Sequence, residues 1–591
     1  MTFESAAKLY RRPETRLEDI PVPHVEVKVD EKLAAEAEKG PRFEIRSFAV
    51  VGSTLLSPGE VQRILEPYVG KDKRMADIQA ARDRLQKAYE EEGFPTAIVT
   101  VPQQTVASGR VRLEVIEARL GNVSIVNPGW HWYSDERLRR ETPTLQPGAV
   151  IRTRDLESDL TRANRSPDRR VTPVLKAGSE PGLVDLALNV DDRIPLHAEA
   201  EWDNFHTPGT PDNRANLSLS YDNLFDLDHR VGFAWQFVPE FGSDYHDVQV
   251  YTGTYGLPAP WRPDQDHIFA YGAWSYTSSL IPSGAGINAL GNGFTGGLRY
   301  DFGLPAIPDF EHFVHFLTLG VDYKHITNTL NQASTEPGEG PISIITPIRY
   351  LPFTVAYTAQ RLAPDAISTA RLGFDFYVAG LIQSGGQEVN FQENRGGVSP
   401  KSNVTGDYRV YTLELTQIMR LMPLLKTLGE GRFLDLPPGT TPVQDDWNLS
   451  LHFDGQLASQ PLIATEQFPL GGFDSVRGYL EGELFGDHGW NSQVELRSRR
   501  LDRWLLGRLG ESAQAYLFYN AGGVYVRATG TESGDNQGIV FHQILQSFGL
   551  GMRAQLSTWL DGEVSLGIPM RDTTNTQAYD PRWNFRVRSR F

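Results

Sequence analysis

From Leu196 to the last residue, apolar side chains recur at every second position, a period that belongs to β-strands and excludes a helical solution for most of the chain. Val231, Phe233, Trp235 and Phe237 alternate with Gly232, Ala234 and Gln236. Phe313, His315, Leu317, Leu319 and Val321 mark a longer strand, and Leu372, Phe374, Phe376 and Val378 another. Trp447, Leu449, Leu451 and Phe453 alternate with Asn448, Ser450, His452 and Asp454. Such strands bury one face and wet the other. A soluble array of sandwiches satisfies that pattern, and so does a closed membrane barrel with an apolar outer band and a polar lumen. The last strand bears on the choice. Trp583, Phe585, Val587 and Phe591 share one face, and Arg582, Asn584, Arg586, Arg588 and Arg590 share the other. An arginine facing lipid at the bilayer midplane costs about 2–4 kcal/mol, so in a membrane their side has to be aqueous. A solvated edge strand would carry them too.

No uninterrupted apolar run approaches the ~20 residues of a membrane helix, whereas a barrel strand needs only about 9–11. The 55 glycines and 38 prolines fit many short strands and turns. A net charge of −17 with no basic tract argues against nucleic acid as a partner. The absence of cysteine removes disulfides, thiolate metal sites and thiol nucleophiles. There is no Gly-x-Ser-x-Gly elbow, no His-Glu-x-x-His and no phosphate-binding loop with its lysine, and the 13 histidines are scattered. His312 and His315 fall on opposite faces of one strand. The expectation is no catalytic residue, no metal site and no cofactor.

Residues 1–42 read as a flexible arm: a polar helix over Ser5–Arg12, a linker punctuated by Pro13, Pro21 and Pro23, and a helical Glu31–Lys39 piece stopped by Gly40-Pro41. Met1–Lys8 lacks the apolar core of a signal peptide, so either a leader has been removed or the chain is not exported. Order begins with a strand over Phe43–Val51. Ser57-Pro58-Gly59-Glu60 then opens a helix with an N-cap serine, proline at the first helical position and a capping-box glutamate. A second helix from Asp77 sets Ile78, Ala81, Leu85, Ala88 and Tyr89 on one face and ends at Gly93. Strands Thr96–Val101 and Val111–Ile116 complete a β-α-α-β-β unit. The order repeats through strand Gly121–Val126, helices Ser134–Glu141 and Thr153–Asn164, and strands Arg170–Lys176 and Leu183–Val190. Two tandem copies of about 75 residues form an internal repeat. An open sheet edge in each is a place where an extended segment of another chain can add as a strand, and edges covered within ordinary small α+β domains are the alternative.

The pair resembles the polypeptide-transport-associated (POTRA) domains of the Omp85 superfamily, and the first copy is similar to the form found in two-partner secretion transporters. The residues that carry the likeness are Val51–Ser57, Pro67-Tyr68-Val69-Gly70, Tyr89 with Glu92-Gly93-Phe94, Val101-Pro102-Gln103-Gln104, and Gly109-Arg110-Val111 leading to Val115-Ile116-Glu117. Leu156-Glu157, Asn164 with Pro167, and Ala177-Gly178 through Leu186 carry it in the second copy. The resemblance implies POTRA domains over 43–117 and 118–193 and an outer-membrane barrel over 194–591 with 16 antiparallel strands. Phe548–Arg553 and Ser565–Met570 resemble the family's closing strands, and the terminal Phe591 its C-terminal signature. Glu336–Pro341, Ser384–Lys401 and Leu421–Thr441 have the composition of connections.

One glycine-rich stretch, Gly471–Tyr479, interrupts the alternation between Trp447–Leu457 and Asp487–Ser492. By itself it is a glycine-rich hairpin holding one arginine. In this setting Ser475-Val476-Arg477-Gly478-Tyr479 resembles the Val-Arg-Gly-Phe/Tyr motif of Omp85 proteins, carried on a sixth extracellular loop folded into the barrel. The family pairs that arginine with an aspartate in a Phe-x-Asp-x-Gly strand. Here the matching position in Phe518–Val524 is Asn520, which lacks the charge of a bidentate partner, so Asp474 and Asp487 are the alternative carboxylates for Arg477.

The resemblance implies a translocator. POTRA edges including Val101, Pro102, Gln103 and Gln104 would capture a secreted exoprotein through its N-terminal secretion domain. The barrel, in contact with outer-membrane lipids, would pass it outward without ATP. A barrel-assembly insertase of the same superfamily and a passive solute porin are the alternatives; two POTRA units and the Pro102-Gln103-Gln104 signature favour the transporter.

Overall fold

The structure, a computed structural model, describes residues 42–591 apart from 107, 128, 240–247, 278–280, 283–287, 290–291, 308–309, 311, 333–341, 364–365, 382–406, 423, 425–442, 444–445, 503–511 and 528–538. The expected N-terminal helix and linker, 336–341, 384–401 and most of 421–441 therefore lie outside the described residues. The chain forms two compact units that divide between Pro195 and Leu196.

In the first unit the strand expected over Phe43–Val51 is split at Arg46 into β1 (Phe43–Ile45) and β2 (Ser47–Val51). Ser57 caps the helix Pro58–Leu65 as its pattern predicts: its hydroxyl accepts the Glu60 N–H at 3.3 Å, and the Glu60 carboxylate accepts the Ser57 N–H at 3.0 Å. A short strand, β3 (Gly70–Lys73), pairs with β1. The helix Met75–Glu91 then buries Ile78, Ala81, Leu85, Ala88 and Tyr89, the face its periodicity sets out. It packs over β4 (Ala97–Thr100) and β5 (Arg110–Glu117), and the sheet order is β2-β5-β4 with β2 parallel to β5. At the end of the central strand β5, Glu117 accepts from the N–H groups of Thr54 and Leu55 and from the Tyr89 hydroxyl. Burial pushes the Tyr89 phenol up to about 12.

The second copy repeats the plan. β6 (Arg119–Val126), helices Asp135–Glu141 and Thr153–Ala163, β7 (Arg169–Ala177) and β8 (Leu183–Asp192) give the sheet order β6-β8-β7, with β6 parallel to β8. Its core is Leu120, Leu138, Leu156, Leu160, Val171, Leu186 and Leu188 with their neighbours.

The second unit is a closed antiparallel barrel of 16 strands. Two of the sixteen are built from paired segments. Ile342–Tyr350 and Phe353–Leu362 both lie on Phe313–Gln332, and Leu501–Asp502 continues His488–Arg497 against Ser512–Arg527. Closure joins the first strand, Leu196–Asp203, to the last, Arg582–Arg590, from Arg586↔Asp203 to Arg590↔Glu199. The alternation sorts side chains as expected. Phe233, Trp274, Leu372, Leu457 and Trp583 are exposed on the outside, while Asn448, Ser450, Asn520 and Asn584 are buried. The terminal arginines turn to the other face, where Arg586 meets Glu563 (3.1 Å), Arg588 meets Asp561 (3.0 Å) and Arg590 meets Glu199 (2.9 Å). Among the described residues no helix is long and apolar enough to cross a membrane.

Candidate functional site: a loop arginine held in the barrel

An even strand count puts both ends of the barrel segment at one rim, and the sixth connection at the opposite rim is residues 459–487, which contains Gly471–Tyr479. Asp487 pins the base of this connection. Its carboxylate accepts from the Leu462 N–H (2.8 Å), the Arg527 N–H (2.7 Å) and Gln467 Nε2 (3.3 Å). Within the loop, Phe473 N–H donates to Glu481 Oε1 (2.6 Å), and Gln493 Nε2 donates to the Ser475 carbonyl (2.7 Å). Val476 is buried against Phe468, Leu470, Tyr479, Val524 and Leu545.

The loop lies against the wall at Gly478. Its φ of +95° is the left-handed region that glycine alone enters freely, and a Cβ there would sit 3.1 Å from the Gly567 carbonyl carbon. A Cβ on Gly567 would lie 2.6 Å from the Gly478 nitrogen. Backbone meets backbone here, so the contact requires glycine on both sides. Tyr479 then ties the loop to the next strands: its hydroxyl accepts the Arg571 N–H (3.0 Å) and lies 3.1 Å from the Gln546 carbonyl.

Arg477 is buried at 1 % exposure. Its Nε donates to Asn520 Oδ1 at 3.1 Å, and its guanidinium lies 3.9 Å from the centre of the Phe518 ring. The counter-charge is Glu495, whose Oε1 lies 2.6 Å from Arg477 Nη2 in an ion pair that rests on charge more than on N–H direction. Glu495 also meets Arg497 (2.7 Å) and Arg553 (3.4 Å), and Arg553 passes the chain of charges on to Glu563 (2.8 Å). A buried guanidinium left without a counter-ion is strongly destabilised, so this network is what permits Arg477 to sit in the lumen.

Of the sequence-predicted partners, the structure brings Asn520 to Arg477 and leaves the two aspartates elsewhere. Asp474 is exposed, and Asp487 is occupied at the loop base. The expectation that Asp474 or Asp487 replaces the missing aspartate is therefore corrected to Glu495. That residue lies on the strand immediately after the loop, where Asn491, Gln493 and Glu495 alternate with Ser492, Val494 and Leu496. A carboxylate on the inward register of that strand was the available signal. What the period does not give is the offset that sets Glu495 opposite Phe518 in the neighbouring strand.

In the first α+β sheet, Gln104 is turned inward. Its Nε2 donates to the Arg112 carbonyl (2.7 Å) and its Oε1 accepts the Arg112 N–H (2.6 Å), so it finishes the side of β5 that β4 is too short to cover. Val101 packs on the core, Pro102 is half-buried, and Gln103 alone of the four is exposed. A residue outside the predicted set, Gln86, does the same for β4, accepting the Val99 N–H and donating to the Ala97 carbonyl, each at 2.9 Å. In the second copy Asn164 caps Val171 of β7 in the same way (2.6 and 3.0 Å). Among the described residues, neither a strand nor a hydrogen-bonding side chain covers the outer side of β2.

Residues 43–118 match the ShlB-type POTRA domain family, and residues 438–554 match the family of haemolysin secretion/activation proteins ShlB/FhaC/HecB. The chain is 24% identical over 480 residues to the outer membrane transporter CdiB of Dickeya dadantii, covering 79% of this chain and 75% of that one. It is 20% identical over 194 residues to the heme/hemopexin transporter protein HuxB of Haemophilus influenzae, covering 32% of this chain and 34% of the other. Its fold is similar to that of CdiB from Escherichia coli, with a TM-score of 0.60 at 17% identity over 100% of this chain and 95% of the other. It is also similar to BamA from Haemophilus ducreyi lacking POTRA domains 1–3, with a TM-score of 0.50 at 14% identity over 93% of this chain and 100% of the other. The chain is thus similar to two-partner secretion outer-membrane transporters at its first α+β repeat, in the later part of its barrel and, through CdiB, over most of its length.

Proposed function

We propose that the protein recognises an unfolded exoprotein in the periplasm by strand addition and secretes it through the barrel without ATP or a cofactor. The observation that carries this reading is the asymmetry of the first α+β sheet: Gln86 and Gln104 close one side, and among the described residues no strand pairs with the outer side of β2. An unpaired edge is a template for another chain, and natural proteins normally blunt it. The second copy supports the same logic less openly, because its outer strand is partly covered: Leu120 bonds to Gly148 and Ala149. The partner is a secreted exoprotein whose N-terminal secretion domain supplies the extended segment. Folding of the cargo outside gives direction, since a folded chain does not return. Arg477 seats the loop in the lumen, and the exoprotein passes the same lumen.

Deleting Phe43–Glu117 tests the reading. Binding of the exoprotein's secretion domain is lost while the barrel still conducts ions in a planar bilayer; retained binding contradicts it. Removing the whole protein from cells depletes a single large protein from the medium. General depletion of outer-membrane proteins would instead point to barrel assembly.

A further inference from the structure

Arg477 holds only the later limb of the loop, against strands twelve to fifteen of the barrel. The earlier limb has a separate attachment, at the short helical turn Ala464–Glu466. There Glu466 reaches strands seven and eight. Lys324 Nζ lies 2.5 Å from its Oε1, and the Tyr350 hydroxyl donates to the same oxygen at 2.6 Å. Thr465 completes the set from the loop side, its hydroxyl 2.9 Å from Tyr350 Oη. Tyr350 is fully buried beside Tyr377 and Tyr408, with ring centres 5.8 and 6.5 Å away.

Lys324 shares the inward face of its strand with Asp322, while Leu319 and Tyr323 point outward. The two other acids that act on it have their own partners. Asp322 is held by both Nη atoms of Arg299 (2.6 and 2.8 Å), and Asp375 accepts from Thr354 (2.6 Å). Among the described residues Glu466 is thus the carboxylate in ion-pair contact with Lys324. The loop spans the lumen between two anchors of unequal strength. The Arg477 anchor has an ion pair, a hydrogen bond, a stacked ring, a glycine contact and the Tyr479 bonds. The Glu466 anchor has one lysine and one tyrosine on a single carboxylate oxygen, the Thr465–Tyr350 contact and a Gln456 amide on the Glu466 carbonyl (3.0 Å), and its one ion pair is the Lys324 contact. A chain passing through the lumen needs room that the loop occupies, and the limb whose charged contact is a single lysine, with no arginine network behind it, gives way first.

We propose that Glu466, through Lys324 and Tyr350, is a positioning residue that latches the early limb of the loop to the wall, and that release of this latch accompanies transport. The proposal rests on the reading of the barrel as the export pore and names the contact that yields. Breaking the latch leaves the Arg477 anchor, the Asp487 contacts at the loop base and the barrel intact, and releases the turn Ala464–Glu466 from the wall. Fixing it covalently keeps the lumen obstructed.

The test uses the full chain, which has no cysteine of its own. In planar bilayers, Glu466→Gln and Lys324→Met each lengthen open-channel dwell times at least about threefold. The double variant is no more open than either single one, and the charge-exchanged pair Lys324→Glu with Glu466→Lys returns toward the wild-type trace. Wild-type gating in both single variants, in barrels shown to be folded by heat-modifiable migration, overturns the proposal. In cells, Lys324→Cys with Glu466→Cys joined by a reducible bis-maleimide stops secretion, and reduction restores it. Unchanged secretion with the cross-link confirmed by mass spectrometry also overturns it. Secretion that persists across the cross-linked latch still identifies an exporter, whereas loss of no secreted protein on deleting the whole chain would remove the functional reading itself.

Discussion

The α+β repeats and the barrel treat their sheet edges in opposite ways. Each repeat closes one edge with amide side chains, Gln86 and Gln104 in the first and Asn164 on β7 in the second, and among the described residues the outer side of β2 in the first carries no strand. The barrel leaves no edge: where the backbone pairing of the seam ends at Asp203, the Asn204 amide continues it, donating to the Trp583 carbonyl (2.8 Å) and accepting the Phe585 N–H (2.9 Å). In lipid an unpaired backbone group costs several kcal/mol, so closure of the barrel is forced by its solvent. In water it is not forced, yet an open edge is a hazard. A sheet that caps one side and exposes the other is the arrangement that the proposed capture of an extended segment requires. Charge divides differently: the first repeat is built on an apolar core, whereas the second buries the Arg137–Glu141–Arg169 cluster and the barrel buries the Glu495 network that holds its loop.

Glu495→Ala strikes the barrel side of the contrast hardest, because it strands Arg477, Arg497 and Arg553 together. Removing one partner of a buried ion pair costs about 3–5 kcal/mol. The barrel's heat-modifiable transition falls markedly and secretion stops, with amide exchange in 43–193 unchanged; a loss of protection there would break the separation of the two regions. Arg477→Ala is milder for stability, since Glu495 keeps two arginines. The barrel inserts at normal levels and secretion is impaired, and wild-type secretion would contradict the role given to the loop.

Gln86→Ala reverses the test. Two backbone groups of β4 lose their partners, at about 1–3 kcal/mol, so exchange at Ala97–Thr100 quickens while the barrel transition stays put. Asn520→Asp is a smaller change of opposite sign. Among the described residues the buried Asn520 Nδ2 has no hydrogen-bond partner, and a carboxylate there offers Arg477 a second charged acceptor, raising the transition temperature by a few degrees. A lower transition would show that Glu495 already satisfies the site.

The smallest effect is on pH. Burial raises the Glu117 carboxyl, but the hydrogen bonds from Thr54, Leu55 and Tyr89 outweigh it and hold the group below its ordinary value. A depressed carboxylate contributes stability above its unfolded pKa of about 4.5 that is lost as pH falls through the folded value. Intrinsic-rate-corrected protection around Thr54 and Tyr89 therefore weakens below about pH 4.5 and does not do so in Glu117→Gln. Equal pH dependence in both would contradict it.

How much of this was legible follows from range along the chain. The Ser57–Glu60 capping box, the Ile78–Tyr89 face and the Trp583–Phe591 alternation are local patterns, and the structure keeps them. The Arg477 motif was legible by resemblance, and Asn520 with it. Glu495 was not singled out, because its role depends on which inward position of one strand faces which position of the next. The same holds for Gln86 and Gln104, whose amides act on strands distant in sequence or on the far side of a turn. Gln104 stood out in the motif, yet its side chain finishes its own sheet.

The most direct measurement of the central claim is amide hydrogen exchange of the full protein with and without the exoprotein's secretion domain. The account predicts that binding slows exchange in Ser47–Val51 while Ala97–Thr100, already capped by Gln86, is unchanged. Protection that appears at Ala97–Thr100, with Ser47–Val51 unaffected by bound cargo, would contradict it.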